Sequence, residues 1–393
     1  SGTREAPVNY LKATASKVHG PSHYTLMGFY QSTDFKTRDA DIERSQRNHV
    51  WHAELTWDRR IMSRGLMTLG ASWRRNDVDD AIVRDGFDPR PPPGGGFFVP
   101  QIAQADFTND LGSLYAQFRY QLWQGEWWAG LRLDDHSEYE STLSYSLGMH
   151  HPLGEDFNLK VAYGNAFRSP YSSQLFFNNQ AFDPESVQTI SVQLAWEADR
   201  GHSLELTLYH SDIDDHIAED PLGGLSQPSG RQIYGLELVG KARLTPTVTL
   251  NAGFTAMHSS GDEEQFETYL YTLCGSNGCE DVYEEWDEPV DEGPSWLADF
   301  GLSWEPAKGH NLTIGGRIGD DYDYSYEMGS IEGSYDYPLV IDASYNHPGF
   351  FAGKDKLTLR ATNLLDRDYK QPDVYGPVDG PPLQISLEWK YRF

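Results

Sequence analysis

The residues best suited to chemistry cluster in two places. Around His216 the chain reads SDIDDHIAED, an imidazole crowded by carboxylates. Such donors hold metal ions, but an oxygen-ligand site needs its ligands at defined loop positions that this stretch lacks, so an acidic exit from a strand is the simpler reading and no metal site is expected. The second place is CGSNGC, with the only two cysteines of the chain, Cys274 and Cys279. Zinc asks for four ligands, and neither a second thiol pair nor a nearby histidine stands here. A small-loop disulfide suited to an oxidising compartment is the stronger expectation. A nucleophile elbow, a phosphate loop and a His-containing zinc motif are all absent, so catalytic residues, a cofactor and an enzymatic role are not expected.

The cysteines sit inside GDEEQFETYLYTLCGSNGCEDVYEEWDEPVDEGP, where carboxylates mix with Tyr269, Tyr271, Tyr283 and Trp286. A neighbouring stretch, DDYDYSYEMGSIEGSYDY, repeats the mixture with Tyr322, Tyr324 and Tyr326. Two readings stand. Charge runs are usually solvated surface. Exposed aromatics beside a constrained tip also make a broad, stiff contact surface with hydroxyls for sugars, chelates or protein, so these seven residues are the ligand-binding candidates.

The elements that must carry these stretches are strands. The 31 Lys+Arg against 59 Asp+Glu give a net charge of −28, which repels nucleic acid. No apolar run reaches the length of a membrane helix. A membrane barrel needs apolar residues only at alternate positions, and the 23 Tyr and 11 Trp suit its interfacial girdles. Segments such as DFNLKVAYGNAF, TISVQLAW and HSLELTLYH alternate strictly, and about seventeen of them are predicted, all-β and antiparallel. In the closing LQISLEWKYRF, Leu383, Ile385, Leu387, Trp389, Tyr391 and Phe393 share one face. Short turns (WQG, HPLGED, EADRG, TPT, EPAKG) alternate with long polar connections at 77–109, 167–187, 214–231, 259–294, 320–336 and 365–381. That sorting is expected of an outer-membrane barrel with tight periplasmic turns and long extracellular loops. A soluble β-sandwich is the competing fold.

Several stretches resemble the C-terminal part of TonB-dependent outer-membrane receptors. AFRSPYSSQLFFNNQAFDPE carries Phe167, Arg168, Pro170, Pro184 and Glu185 at matching places. NLLDRDYKQPDVYGPVDGPPLQISLEWKYRF is similar to the family's closing block, with Asn363, Asp366 and the terminal Phe393. The resemblance is clear over 155–393 and departs at Pro381 and Pro382, where the family often has Arg, which implies a missing last-loop interaction. It implies an outer-membrane location in a Gram-negative bacterium, contact with lipid and lipopolysaccharide, and insertion guided by the C-terminal strand. It also implies uptake of a scarce ligand, a metal chelate such as a siderophore. Residues 1–393 read as barrel alone: neither a plug domain nor a TonB-engaging box is recognisable, and TonB is a partner only if a plug lies upstream. Closed barrels of this class have 22 strands, and an odd number cannot close antiparallel, so 1–393 resembles the C-terminal three-quarters. Further strands, upstream or on a partner chain, are expected to complete it. The start SGTREAPVNY, without a signal peptide or Met, reads as a processed or truncated piece. The alternative is a plugless, degenerate receptor acting as a scaffold or docking surface for partner proteins.

Overall fold

The computed structural model describes residues 3–39, 42–85, 101–104, 106–169, 183–198, 201–216, 229–261, 264–275, 278–288, 293–326, 331–349, 355–371 and 378–391. All regular structure among them is β-strand. The chain forms two compact units, residues 1–148 with 164–185, and residues 149–163 with 186–393.

Within the first unit each strand pairs antiparallel with the next. Val8–His19 lies beside Ser22–Asp39, followed by Ile42–Ile61, Gly65–Asp85, Phe107–Leu122 and Gly125–His136. The second unit repeats the meander through Glu185–Ala198, His202–His216, Ser229–Thr245, Val248–Gly261, Trp296–Trp304, Asn311–Gly319, Val340–His347, Asp355–Thr362 and Gln384–Tyr391. With Thr142–Leu153 and Phe157–Arg168, the long strands are the seventeen read from alternation. Val8–His19 and Gln384–Tyr391 each have a strand partner on one side only among the described residues, and every residue of both is exposed.

The registers keep apolar opposite apolar. Val192 faces Leu208, Leu194 faces Leu206 and Trp196 faces Leu204. Leu206 in turn faces Leu238, and Leu359 faces Leu387. Most of these residues are exposed and none is buried: Leu204 is 44%, Leu208 46% and Leu387 66% accessible. Buried hydrophobic residues are limited to Val78, Tyr335 and Val340 among the described residues. A sandwich of this size would hide its apolar rows between two sheets, whereas here they lie outward, the arrangement that lipid stabilises and water penalises.

The connections sort as expected. On one end the turns are tight, and those at Gly154 (φ 84°) and Gly201 (φ 82°) use a left-handed residue that glycine adopts without steric cost. At the other end, parts of the predicted loops prove to be strand. Ser22–Asp39, Ile42–Ile61 and Gly65–Asp85 run 18, 20 and 21 residues, well beyond the roughly ten needed to cross a bilayer. The predicted loop 259–294 is a hairpin, Glu264–Gly275 against Gly278–Glu288, and 320–336 holds another, Tyr322–Tyr326 against Ile331–Tyr335. Both are mixtures of acids and aromatics without an apolar row, which sequence patterning reads as loop although the backbone pairs equally well.

Candidate functional site

The two hairpins rise from one end of four neighbouring strands: Val248–Gly261, Trp296–Trp304, Asn311–Gly319 and Val340–His347. The first brings Tyr269 opposite Tyr283 and Cys274 opposite Cys279, with Trp286 opposite Phe266. The second places Tyr322, Tyr324 and Tyr326 at alternate positions of one strand, paired with Ile331–Tyr335. The register therefore gathers the predicted contact residues into two adjacent projections.

At the base of the last long connection lies a built feature that the family motif marked without explaining. Asn363 is 1% exposed and sits at φ 52°, a conformation Asn tolerates better than most residues. Its backbone N–H donates to Asp342 Oδ1 at 2.8 Å, and its Nδ2 donates to the carbonyls of Arg367 (2.8 Å) and Pro381 (3.1 Å). Its Oδ1 accepts from the Arg367 N–H at 2.9 Å. Asp366, at φ 46°, accepts from the Leu383 N–H at 2.8 Å. The connection 363–383 is thereby clamped at both ends, and the Pro381 carbonyl is part of the clamp even though the family's arginine is absent.

Beside this clamp is a recess of about 230 Å³ lined by Arg317, Tyr337, Pro338, Val340, Tyr369, Lys370 and Gln371. Arg317 Nη2 donates to the Tyr369 hydroxyl at 3.3 Å, its guanidinium 5.8 Å from the ring centroid. Lys370 pairs with Asp379 at 2.5 Å. Sequence reasoning missed Arg317 because it lies 52 residues from Tyr369, and only the register brings them together.

Of the other motif residues, Arg168 Nη2 donates to Glu185 Oε2 at 2.8 Å, joining the strand ends that flank connection 169–184. Phe167 is half-buried and Pro184 buried. Pro170 and Phe393 lie outside the described residues, as do the side chains of the hairpin aromatics and cysteines. His216 ends a strand at a register shift, with Asp215 at φ 57°, and no cluster able to hold a metal occurs among the described residues. In the short connection 137–141, Tyr139 stacks on His136 at 3.9 Å, and burial raises its phenol above the ordinary range.

The polar face of the first unit carries a network that alternation alone does not reveal. The Tyr115 hydroxyl donates to Glu54 Oε1 at 2.6 Å and lies 3.3 Å from Thr56 Oγ1. Arg132 Nε donates to Asp134 Oδ2 at 2.8 Å, its Nη2 reaches Ser113 Oγ at 2.9 Å, and Asp134 is 2% exposed. Tyr115 crosses the intervening strand over Gly70, where a Cβ would overlap its ring. Gly70→Ala is expected to push the ring aside, break the bond to Glu54 and cost about 1–3 kcal/mol in guanidinium unfolding. Gly112→Ala, whose Cβ meets only ordinary contact, is expected to stay within about 1 kcal/mol of the parent. Equal stability of the two variants would show that the Tyr115 ring is not held by that notch.

Comparison with known proteins gives these features a context. The family model described as "TonB dependent receptor-like, beta-barrel" matches residues 6–364. The ferric enterobactin receptor PirA of Pseudomonas aeruginosa is 30% identical over 129 residues, 31% of this chain and 17% of that protein. The vitamin B12 transporter BtuB of Vibrio vulnificus is 23% identical over 158 residues, 40% of this chain and 24% of that protein. The chain thus aligns with less than a quarter of the length of either curated relative. Among solved structures, the siderophore receptor PirA from Acinetobacter baumannii superposes with a TM-score of 0.74 at 13% identity, over 100% of this chain and 63% of that one. The copper transporter OprC does so with a TM-score of 0.74 at 15% identity, over 100% and 66%.

Proposed function

We propose, for a chain that belongs to the TonB-dependent receptor-like β-barrel family, that its two acidic, aromatic hairpins capture a scarce metal chelate at the cell surface. The family is one of transport receptors and not of enzymes, and its barrels lie in the Gram-negative outer membrane. The exposed apolar rows meet lipid there.

One observation carries the choice of ligand. Residues 259–294 hold twelve acids and 320–336 hold six, with no Lys or Arg in either, and both stretches stand on the same end of adjacent strands. Carboxylates at that density repel anions, which favours a neutral or cationic outer surface on the ligand. The recess below offers Arg317 to the anionic oxygens that bind a chelated metal. A ferric chelate with anionic donor oxygens and a neutral or cationic periphery suits both. Cys274 and Cys279, opposed in register, are spaced for a disulfide that fixes the hairpin tip. Energy for uptake is assigned to TonB acting on a plug, and the open edges of Val8–His19 and Gln384–Tyr391 to further strands.

The reading is tested by uptake of radio-iron chelates in iron-starved cells, parent against gene deletion. Deletion is expected to abolish uptake of at least one neutral or cationic chelate and leave anionic ones unchanged. Equal uptake across the panel would contradict transport and favour a scaffold. Orientation is tested separately by labelling: a cysteine placed in 264–288 should react from outside intact cells, and one at Ala198 should not.

A further inference from the structure

At the short-turn end of the first unit, two cations stand on the face that carries the apolar rows. Along Ile42–Ile61 that face runs Leu55, Trp57, Arg59, with register partners Leu26, Tyr24 and Ser22 on one side and Ala71, Leu69 and Met67 on the other. On Val8–His19 the same face includes Lys17, opposite Tyr24. Arg60 lies on the opposite, polar face with Asp58 and Glu54. Arg59 and Lys17 are both exposed. Neither makes an ion pair with a carboxylate among the described residues. Asp58, next to Arg59 in sequence, is engaged on the polar face by Thr68 at 2.6 Å and His23 at 3.6 Å.

The surroundings fix the level of these two cations. Lys17 is three residues from the left-handed turn residue Gly20 and Arg59 three from Met62, which puts them at matching heights. Paired strands lie about 5 Å apart, so two spacings separate Lys17 from Trp57 and both long side chains reach one headgroup. Between them Tyr24 stacks on Trp57 at 6.5 Å, and the Arg59 guanidinium lies 5.9 Å from the Trp57 ring centroid. Further along the same face Phe118 stacks on Tyr120, which stands opposite Trp127, an aromatic girdle of the kind that marks the headgroup boundary. The Trp57 indole N–H is covered and meets no acceptor among the described residues, so guanidinium, ammonium and indole all lack an anionic oxygen. In the second unit the outward rows near the short turns pair Trp196 with Leu204, Leu250 with Leu302 and Trp304 with Leu312, and no cation stands in these pairs.

We propose that Arg59 and Lys17 bind the phosphate of an anionic phospholipid in the inner leaflet of the outer membrane, with Tyr24 and Trp57 packed against its glycerol and upper acyl groups. A charge on a lipid-facing row is costly in the hydrocarbon and is offset at the interface, where a phosphate meets it. Guanidinium suits phosphate because its fork presents parallel N–H groups, and each cation near a membrane surface adds its attraction for anionic lipid. A zwitterionic headgroup carries its own ammonium and offers the pair no net counter-charge, which favours the anionic one. The leaflet follows from the short turns facing the periplasm, and the binding is independent of chelate capture at the other end.

The test uses the protein purified from outer membranes and placed in nanodiscs of phosphatidylethanolamine with a minor share of phosphatidylglycerol, bound lipid being read by native mass spectrometry. Both lipids occupy both leaflets, so the readout does not depend on orientation. The parent is expected to retain phosphatidylglycerol preferentially. Lys17→Gln with Arg59→Gln should lower that retention about tenfold or more, while Arg60→Gln with Arg119→Gln, at the same end on the polar face, should leave it unchanged. Should the first pair fail to insert, photo-crosslinking of the otherwise unaltered chain decides. A benzoylphenylalanine at Met67, opposite Arg59, should capture phosphatidylglycerol in excess of its share, and one at Leu66, opposite Arg60, should not. Undiminished retention in the Lys17 and Arg59 pair, or capture at Met67 in proportion to lipid composition, overturns the proposal. An equal loss from the polar-face pair overturns the assignment to these two cations.

Discussion

Asn363→Ala is expected to release the last long connection at a cost of about 3 kcal/mol or more, leaving the strand ladder intact. The substitution removes the acceptor of the Arg367 N–H and the donor to two carbonyls, in a place where the side chain is 1% exposed. A buried polar group left unpaired costs about 1–3 kcal/mol, and alanine at φ 52° adds about 1–2 kcal/mol of its own. Limited proteolysis of intact cells is the readout: cleavage within 363–383 should rise while heat-resistant migration of the barrel is unchanged. Asn363→Gly isolates the hydrogen bonds, because glycine accepts the backbone conformation and makes none of the side-chain contacts. If both variants resist protease like the parent, the clamp is not held by Asn363.

The second large effect separates the two faces of the closing strand. Leu387→Arg puts a charge on the exposed apolar row, paired in register with Leu359, and is expected to cost about 2–4 kcal/mol near mid-bilayer. Glu388→Arg, on the opposite face of the same strand opposite Thr358, is expected to change stability by less than about 1 kcal/mol. Guanidinium unfolding from lipid vesicles measures both. Equal costs would mean that lipid does not cover the apolar rows.

Much of this fold was legible because a strand crossing a bilayer must keep a period of two, so Ile190–Val192–Leu194–Trp196 and Ile385–Leu387–Trp389 declare both strand and outward face. The hairpin at 264–288 was not legible as strand: acids and aromatics are mixed there without a period-two apolar row, and backbone pairing carries no apolar signature. Tyr115 meeting Glu54, 61 residues away, depends on the register of three strands and on the missing side chain at Gly70. The motif pointed to Asn363 and Asp366 by resemblance, while their work as a clamp rests on left-handed backbone and long-range carbonyls that a linear reading does not contain. Arg168 and Glu185 were likewise visible as motif members, and their ion pair was not.

The most direct test of chelate capture is binding of ferric chelates to intact, energy-depleted cells carrying Tyr269→Ala, Tyr271→Ala and Trp286→Ala together. A triple substitution at Glu138, Tyr139 and Glu140 serves as the control. The hairpin variant is predicted to lose binding of the neutral or cationic chelate that the parent takes up, with normal barrel levels in the membrane and the control unaffected. Parental affinity in the hairpin variant would contradict the account.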